Sequence, residues 1–82
     1  MYTVRWRRSA LDRLTEIWMS AADRAAINSA VEEIDQLLAL RPNETGESRS
    51  EDVRIYFCPP LGVFFDVDDA SDTVRVLRVW TF

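Results

Sequence analysis

The sequence predicts a two-layer α+β domain in the order β-α-α-β-β-β, with two helices packed on one face of a four-stranded, mainly antiparallel sheet. Three patterns predict it. Apolar and basic residues alternate at the start of the chain; apolar residues recur at helical spacing between residues 10 and 38; and residues 53–80 alternate again, interrupted by Pro59-Pro60 and by "DDASD". Two amphipathic helices need an apolar surface, and one face of a sheet supplies it. With 82 residues the chain forms a single domain, 1–82. A domain this small hides only roughly 60% of the surface its unfolded chain exposes, so a partner that covers apolar surface would help it.

Each element has its own warrant. Tyr2, Val4 and Trp6 alternate with Thr3, Arg5 and Arg7, the period of a half-buried strand. Ser9 offers an N-cap, after which Ala10, Leu14, Ile17, Trp18 and Ala21 share one side of a first helix. Ser20 and Asp23 stand in the S-x-x-D relation of a capping box, and Ile27, Ala30, Val31, Ile34, Leu37 and Leu38 make the apolar stripe of a second helix. Arg41-Pro42 ends it, because proline disfavours a helical residue before it. "PNETGESRSED", Pro42 to Asp52, has nothing to bury and reads as a loop long enough for a role of its own.

Three antiparallel strands follow as a meander. Val53, Ile55 and Phe57 alternate with Arg54, Tyr56 and Cys58; Pro59-Pro60 and Gly62 make the turn. Val63, Phe65 and Val67 then oppose Phe64, Asp66 and Asp68, and Thr73 to Trp80 completes the sheet. The first strand pairs with this meander at a place composition does not specify. With Val53, Ile55 and Phe57 toward the helices, Arg54 and Tyr56 face the open side. The last strand is apolar on both sides, Val74, Val76 and Trp80 on one and Leu77 and Val79 on the other, which calls for a cover such as a protein partner or a second copy.

Composition excludes whole classes of chemistry. The chain has no histidine, so His-based metal sites and His general-base catalysis are absent, and the single Cys58 has neither a disulfide partner nor a histidine to activate it. No cofactor and no metal are expected. "DVDDASD" resembles part of a calcium loop, but Ala70, Ser71 and Leu77 stand where an oxygen ligand, glycine and glutamate are needed, so it reads as a hairpin turn. No apolar run reaches the roughly 18 residues of a membrane span, and Met1 to Arg8 lacks the layout of a signal peptide; the expected location is cytoplasmic.

Charge is unevenly spread. All ten basic residues are arginines, against fourteen acids, for a net charge of −4. Arg5, Arg7, Arg8 and Arg13 form the one basic cluster and are read as balancing Glu32, Glu33 and Asp35 within the fold. An acidic chain is a poor electrostatic match to nucleic acid, whose binding depends on phosphate neutralisation. Trp6, Trp18 and Trp80 are read as packing residues.

The succession "YTVRW...AL..L.EIW", "R..I..A...ID.LL...P...GESR", "VRIYFCPPLGVFFDVD" and "VRVLRVW" resembles the RelE/ParE superfamily of toxins from type II toxin–antitoxin systems. The likeness spans nearly the whole chain, and the element order agrees with the superfamily's core. It implies a cytoplasmic toxin neutralised by a cognate antitoxin, with two alternative actions. RelE-like members cleave mRNA on the ribosome, using basic residues of the sheet plus an arginine and a tyrosine near the C-terminus; ParE-like members inhibit DNA gyrase. A third alternative is a non-toxic interaction domain of the same fold.

Matched to the ribonuclease pattern, Arg54 occupies a basic position, Tyr56 replaces the next, Gly62 stands where an arginine is expected, and the C-terminal pair falls at or beyond Phe82. The resemblance and the charge together favour the ParE-like or catalytically degenerate side. The candidate catalytic residues, should the chain be a nuclease, are Arg54, Tyr56, Arg49 and Arg78; the candidate binding residues are Arg54, Tyr56, Arg49, Phe64 and Trp80. Arg49, in "GESR", reads first as a structural tie of the long loop.

Overall fold

Strand pairing places the first strand, which composition alone leaves unplaced. The computed structural model describes every residue, Met1–Phe82. Its elements are β1 (Thr3–Trp6), α1 (Arg8–Ser20), α2 (Arg24–Leu40), a 3-10 turn (Pro42–Glu44), β2 (Glu47–Ser48), β3 (Val53–Cys58), β4 (Leu61–Asp68) and β5 (Thr73–Thr81). They form one five-stranded sheet in the order β1-β5-β4-β3-β2. β1 runs parallel to β5, with Val4 beside Val74 and Trp6 beside Val76, and the other pairs are antiparallel. The expected two-layer α+β fold is therefore present, with a fifth strand of two residues inside the segment expected to be a loop.

Both helices cover one face of the sheet. Ala10 and Ile17 of α1 and Ile27, Ala30, Ile34 and Leu38 of α2 are buried against Leu61, Val63 and Phe65 of β4 and Val74, Val76 and Val79 of β5. Trp6 adds a polar tie from the sheet, its indole Nε1 donating to Asp35 Oδ1 at 2.9 Å. No helix is long and apolar enough to cross a membrane.

The helix starts differ from expectation. α1 begins at Arg8 with Arg7 as its N-cap and no side-chain cap, so Ser9 lies inside the helix. The backbone N–H of Arg7 instead donates to Val76 O at 2.9 Å, which fixes the strand-to-helix turn against the sheet. Ser20 belongs to the end of α1; Asp23 caps α2 alone, its Oδ1 accepting from the Ala26 N–H at 3.0 Å. Asp23→Ala is expected to cost about 1 kcal/mol, read as a lower urea midpoint at unchanged slope.

The N-terminal arginines do not reach Glu32, Glu33 or Asp35. Arg8 pairs with Asp12 at 3.8 Å and Arg13 with Glu16 at 3.6 Å, both along α1. Glu33 and Asp35 instead accept hydrogen bonds from strand residues, so the sheet meets α2 through neutral donors. Trp18 is not a core residue either: it is partly exposed, donates to Asn28 and carries the Arg24 guanidinium over its ring at 4.4 Å.

The two faces of the meander are set by register. The β3–β4 hairpin pairs Cys58 with Leu61, Tyr56 with Val63 and Arg54 with Phe65. Directly opposed residues share a face. Burial of Val63 and Phe65 under the helices therefore carries Arg54, Tyr56 and Cys58 to that side, and Val53, Ile55 and Phe57 to the open side. The expected alternation is present with its phase reversed.

β5 departs from regular alternation as well. Phe64 pairs with Arg78 but Phe65 pairs with Val76, so Leu77 is an extra residue, a β-bulge. Its effect is to put Val79 on the helix face with Val74 and Val76, and to turn Arg78 and Trp80 to the open face. Trp80 thus lies opposite the valines it was expected to join.

Candidate functional site

The open face of the sheet carries an aromatic cluster beside an arginine-lined cleft. Phe57, Gly62 and Trp80 are aligned across β3, β4 and β5, and Ile55, Phe64 and Arg78 form the next row. Phe57 and Trp80 pack edge to face with centroids 6.1 Å apart, Phe57 and Phe82 at 5.4 Å, and Phe64 and Trp80 at 5.0 Å. The indole lies directly over Gly62: a β-carbon there would come within 2.6 Å of Trp80 Cε2. Glycine at this position is therefore the space that Trp80 occupies, which gives a physical reason for the absence of the arginine that the resemblance suggested.

Phe64 joins this cluster to the cleft, which has a volume of about 400 Å³ and is lined by Arg7, Arg49, Ser50, Val53, Phe64, Leu77 and Arg78. Three elements supply its guanidinium groups. Arg7 comes from the turn into α1, Arg49 from the segment after β2, and Arg78 from β5 just beyond the bulge. Arg49 is positioned by its backbone, whose N–H donates to Val53 O at 2.8 Å.

None of the three arginines forms an ion pair or a side-chain hydrogen bond within the chain; the ion pairs are Arg8–Asp12, Arg13–Glu16 and Arg75–Asp66. Arg75 lies on the same face, but Asp66 holds it in a fork, with 3.1 Å from Nε and 2.6 Å from Nη2. The cleft thus offers unneutralised, planar donors suited to carboxylate or phosphate.

Of the residues proposed from sequence, the structure brings together Arg49, Phe64, Trp80 and Arg78. It leaves out Arg54 and Tyr56. The Arg54 guanidinium donates to the carbonyls of Thr45 and Gly46, each at 3.0 Å, and so fastens the segment before β2. That role was expected of Arg49 in the same loop.

Tyr56 points to α2 and donates to Glu33 Oε2 at 3.2 Å, beside Cys58, whose thiol donates to the same oxygen at 2.9 Å. Burial, then Cys58 and Glu33, push the Tyr56 phenol above its ordinary value. Burial and the Glu33 hydrogen bond push the Cys58 thiol up to about 12. Both groups stay protonated at neutral pH. They anchor strand to helix, on the far side of the sheet from the cleft.

Among the arginines and aromatic residues of the cleft and cluster, Arg7, Phe57 and Phe82 were missed from sequence, Phe57 because it was assigned to the helix side. Arg7 was read as the last polar residue of the first strand; nothing local marks its turn toward β5. The acidic "DVDDASD" is a hairpin as expected, with Asp68 Oδ1 accepting from the Ala70 N–H at 3.1 Å, and Asp69 accepting from Tyr2 and Asn43 at 2.5 and 2.9 Å.

Chemically, the cleft can hold an anionic group and an apolar neighbour together. It has no residue to move a proton near neutral pH: its lining holds arginine, serine and apolar side chains, without carboxylate, phenol or imidazole.

Residues 4–81 match the family model of the ParE toxin of type II toxin–antitoxin systems, parDE. No curated protein matches the sequence. The chain is similar in structure to a protein of the toxin–antitoxin complex RelBE2 from Mycobacterium tuberculosis, with TM-score 0.82 and 21% identity over 99% of this chain and 91% of that one. It is also similar to one from the chromosomal ParDE system of P. aeruginosa (TM-score 0.70, 20% identity, 99% and 96% covered). The isolated E. coli toxin RelE gives TM-score 0.72 at 15% identity, with 99% and 84% covered. At these identities the structural likeness establishes the fold.

Proposed function

Because the chain belongs to the ParE toxin family of type II toxin–antitoxin systems, we propose that it acts by binding a protein target through the open face of its sheet, without cutting RNA, and that an antitoxin restrains it. The observation that supports this reading is the make-up of the cleft. Arg7, Arg49 and Arg78 provide attraction, while the only tyrosine of the meander is turned away and held by Glu33. Cleavage of RNA by an in-line attack needs charge stabilisation and also proton transfer to and from oxygen. The cleft supplies the first, and its lining holds no carboxylate, phenol or imidazole for the second.

DNA gyrase is the target class that fits a ParE-like action. The site residues of this reading are Arg7, Arg49 and Arg78 for polar contact and Phe57, Phe64 and Trp80 for burial. A second reading, a ribosome-dependent mRNA endonuclease, draws on the same three arginines, since unpaired guanidiniums also suit phosphate.

Induction of the toxin alone separates the two. Growth arrest with altered plasmid supercoiling and no new mRNA ends is expected, and Arg78→Ala should relieve the arrest. Discrete new mRNA 5′ ends that vanish in Arg78→Ala would overturn the binding mechanism in favour of the nuclease. Growth unaffected by induction would place the chain among non-toxic interaction domains.

A further inference from the structure

β5 outruns its neighbour on one side. It continues to Thr81, but β1 pairs only with Thr73 to Val76, so Leu77 to Thr81 are joined to β4 alone. The register says which main-chain groups are left over. The two-residue turn makes Cys58 and Leu61 a hydrogen-bonded pair, so Gly62 and Phe64 exchange their bonds with Trp80 and Arg78 across the next ladder. Val79 and Thr81 therefore turn their N–H and C=O groups away from β4, to the side on which Val76 O accepts from Arg7. No backbone hydrogen bond outside the sheet reaches either residue. Val79 is only 5% exposed, and unpaired main-chain groups at so buried a residue are costly.

Beside that edge runs a slot, in line with β1. Two clefts that share Arg13 make it: one of about 670 Å³ between Ser9, Ala10 and Arg13 of α1 and residues 77–80, and one of about 780 Å³ between Arg13, Ile17 and Ser20 and the end of β5 at Thr81 and Phe82. Ser9, Ala10 and Ser20 are small, which lets another backbone approach β5 to the roughly 4.8 Å that separates paired strands. An extended polypeptide segment meets these terms, because it presents donors and acceptors at strand spacing and is narrow enough to lie along the helix. A second folded copy does not: its own β5 carries an α1 along the same edge, and the two helices would meet before the strands paired. A nucleic acid has no alternating row of donors and acceptors to match Val79 and Thr81. Toward α1 the segment must carry small or aliphatic residues, since Ala10, Ile17 and Val79 are buried there.

The slot is continuous with the open-face cleft, Arg7, Leu77 and Arg78 lining both. A protein seated on the cleft reaches the slot without crossing other surface. We infer that the target protein lays an extended segment in this slot, as a strand paired with Val79 and Thr81 of β5. The inference rests on the target reading above and adds the form of the segment and its place on the toxin.

The test adds purified DNA gyrase to the full-length toxin and reads both supercoiling inhibition and amide exchange. Thr81→Pro removes the slot-side N–H and puts a ring in its place, while the ladder to β4 keeps its bonds through Trp80; circular dichroism checks the fold. The toxin concentration for half-inhibition is expected to rise about tenfold in Thr81→Pro and to stay within about twofold in Thr81→Ala, which leaves the main chain as it is. In the wild type, gyrase should slow exchange at the Val79 and Thr81 amides about tenfold. Unchanged exchange at both amides of a toxin that inhibits gyrase would overturn the strand addition and leave the target reading intact. A wild-type toxin that neither binds nor inhibits gyrase would overturn the target reading itself. Slowed exchange with the co-expressed antitoxin but not with gyrase would overturn the assignment and give the slot to the antitoxin.

Discussion

Phe65→Ala is expected to cost about 3–5 kcal/mol, the largest loss any single side chain of this fold should produce. Phe65 is fully buried and is the largest side chain with no solvent exposure, seated where β4 meets both helices. A domain of this length has a total stability of roughly 4–12 kcal/mol, so the variant should be marginal or unfolded at growth temperature. The comparison with Phe57→Ala makes the test specific. Both residues are phenylalanines on neighbouring strands, but Phe57 is half exposed on the open face and should lose only about 1 kcal/mol. Urea unfolding of the two variants checks the assignment of faces. Equal losses would mean that Phe57 lies under the helices and that the register of the β3–β4 hairpin is wrong.

That comparison bears on how much of the fold was legible in the chain. Element order, both helix stripes and the meander follow from periodicity, because a stripe at helical spacing and an alternating strand have few other places to go. The phase of β3 did not follow from ranking side chains by hydrophobicity. Val53, Ile55 and Phe57 are the more apolar set, yet Tyr56 and Cys58 are the ones turned to the helices, since each can sink an apolar body and leave its donor on Glu33. The turn carried the missing information. Two residues, Pro59-Pro60, separate Cys58 from Leu61, and a two-residue connection makes those neighbours partners.

The bulge was legible too. In "VRVLRV" the valines fall at 74, 76 and 79 and the arginines at 75 and 78, a break in the period of two that marks Leu77 as extra. Without it Arg78 and Trp80 would point at the helices, and the cleft would lose one guanidinium. Arg7 had no such signal: its place depends on the parallel pairing of β1 with β5, a contact between the two ends of the chain.

Gly46→Ala is the second large effect, and it connects this architecture to the cleft. Gly46 has φ +68°, and a β-carbon added there would come to 2.1 Å from the backbone oxygen of Ile55. Alanine must therefore adopt a left-handed conformation and displace a carbonyl that belongs to the β2–β3 ladder, where Glu47 pairs with Ile55. A rigid ladder cannot yield locally, so the clash opens the pair. The expected cost is about 3 kcal/mol, from backbone strain together with overpacking.

The loss should not spread evenly. The Gly46 carbonyl also accepts from Arg54, and the stretch from β2 onward holds Arg49 and Ser50 at the cleft through the Arg49 N–H bond to Val53. Hydrogen exchange should therefore quicken at residues 47–50 before it does in α2 or β4, and Arg49 should leave the cleft in a protein that is still folded. Toxicity on induction should fall by more than the folded fraction does. If Gly46→Ala unfolds the domain as a whole with no early exchange at 47–50, β2 is an integral part of the core sheet, and the positioning of Arg49 is inseparable from global stability.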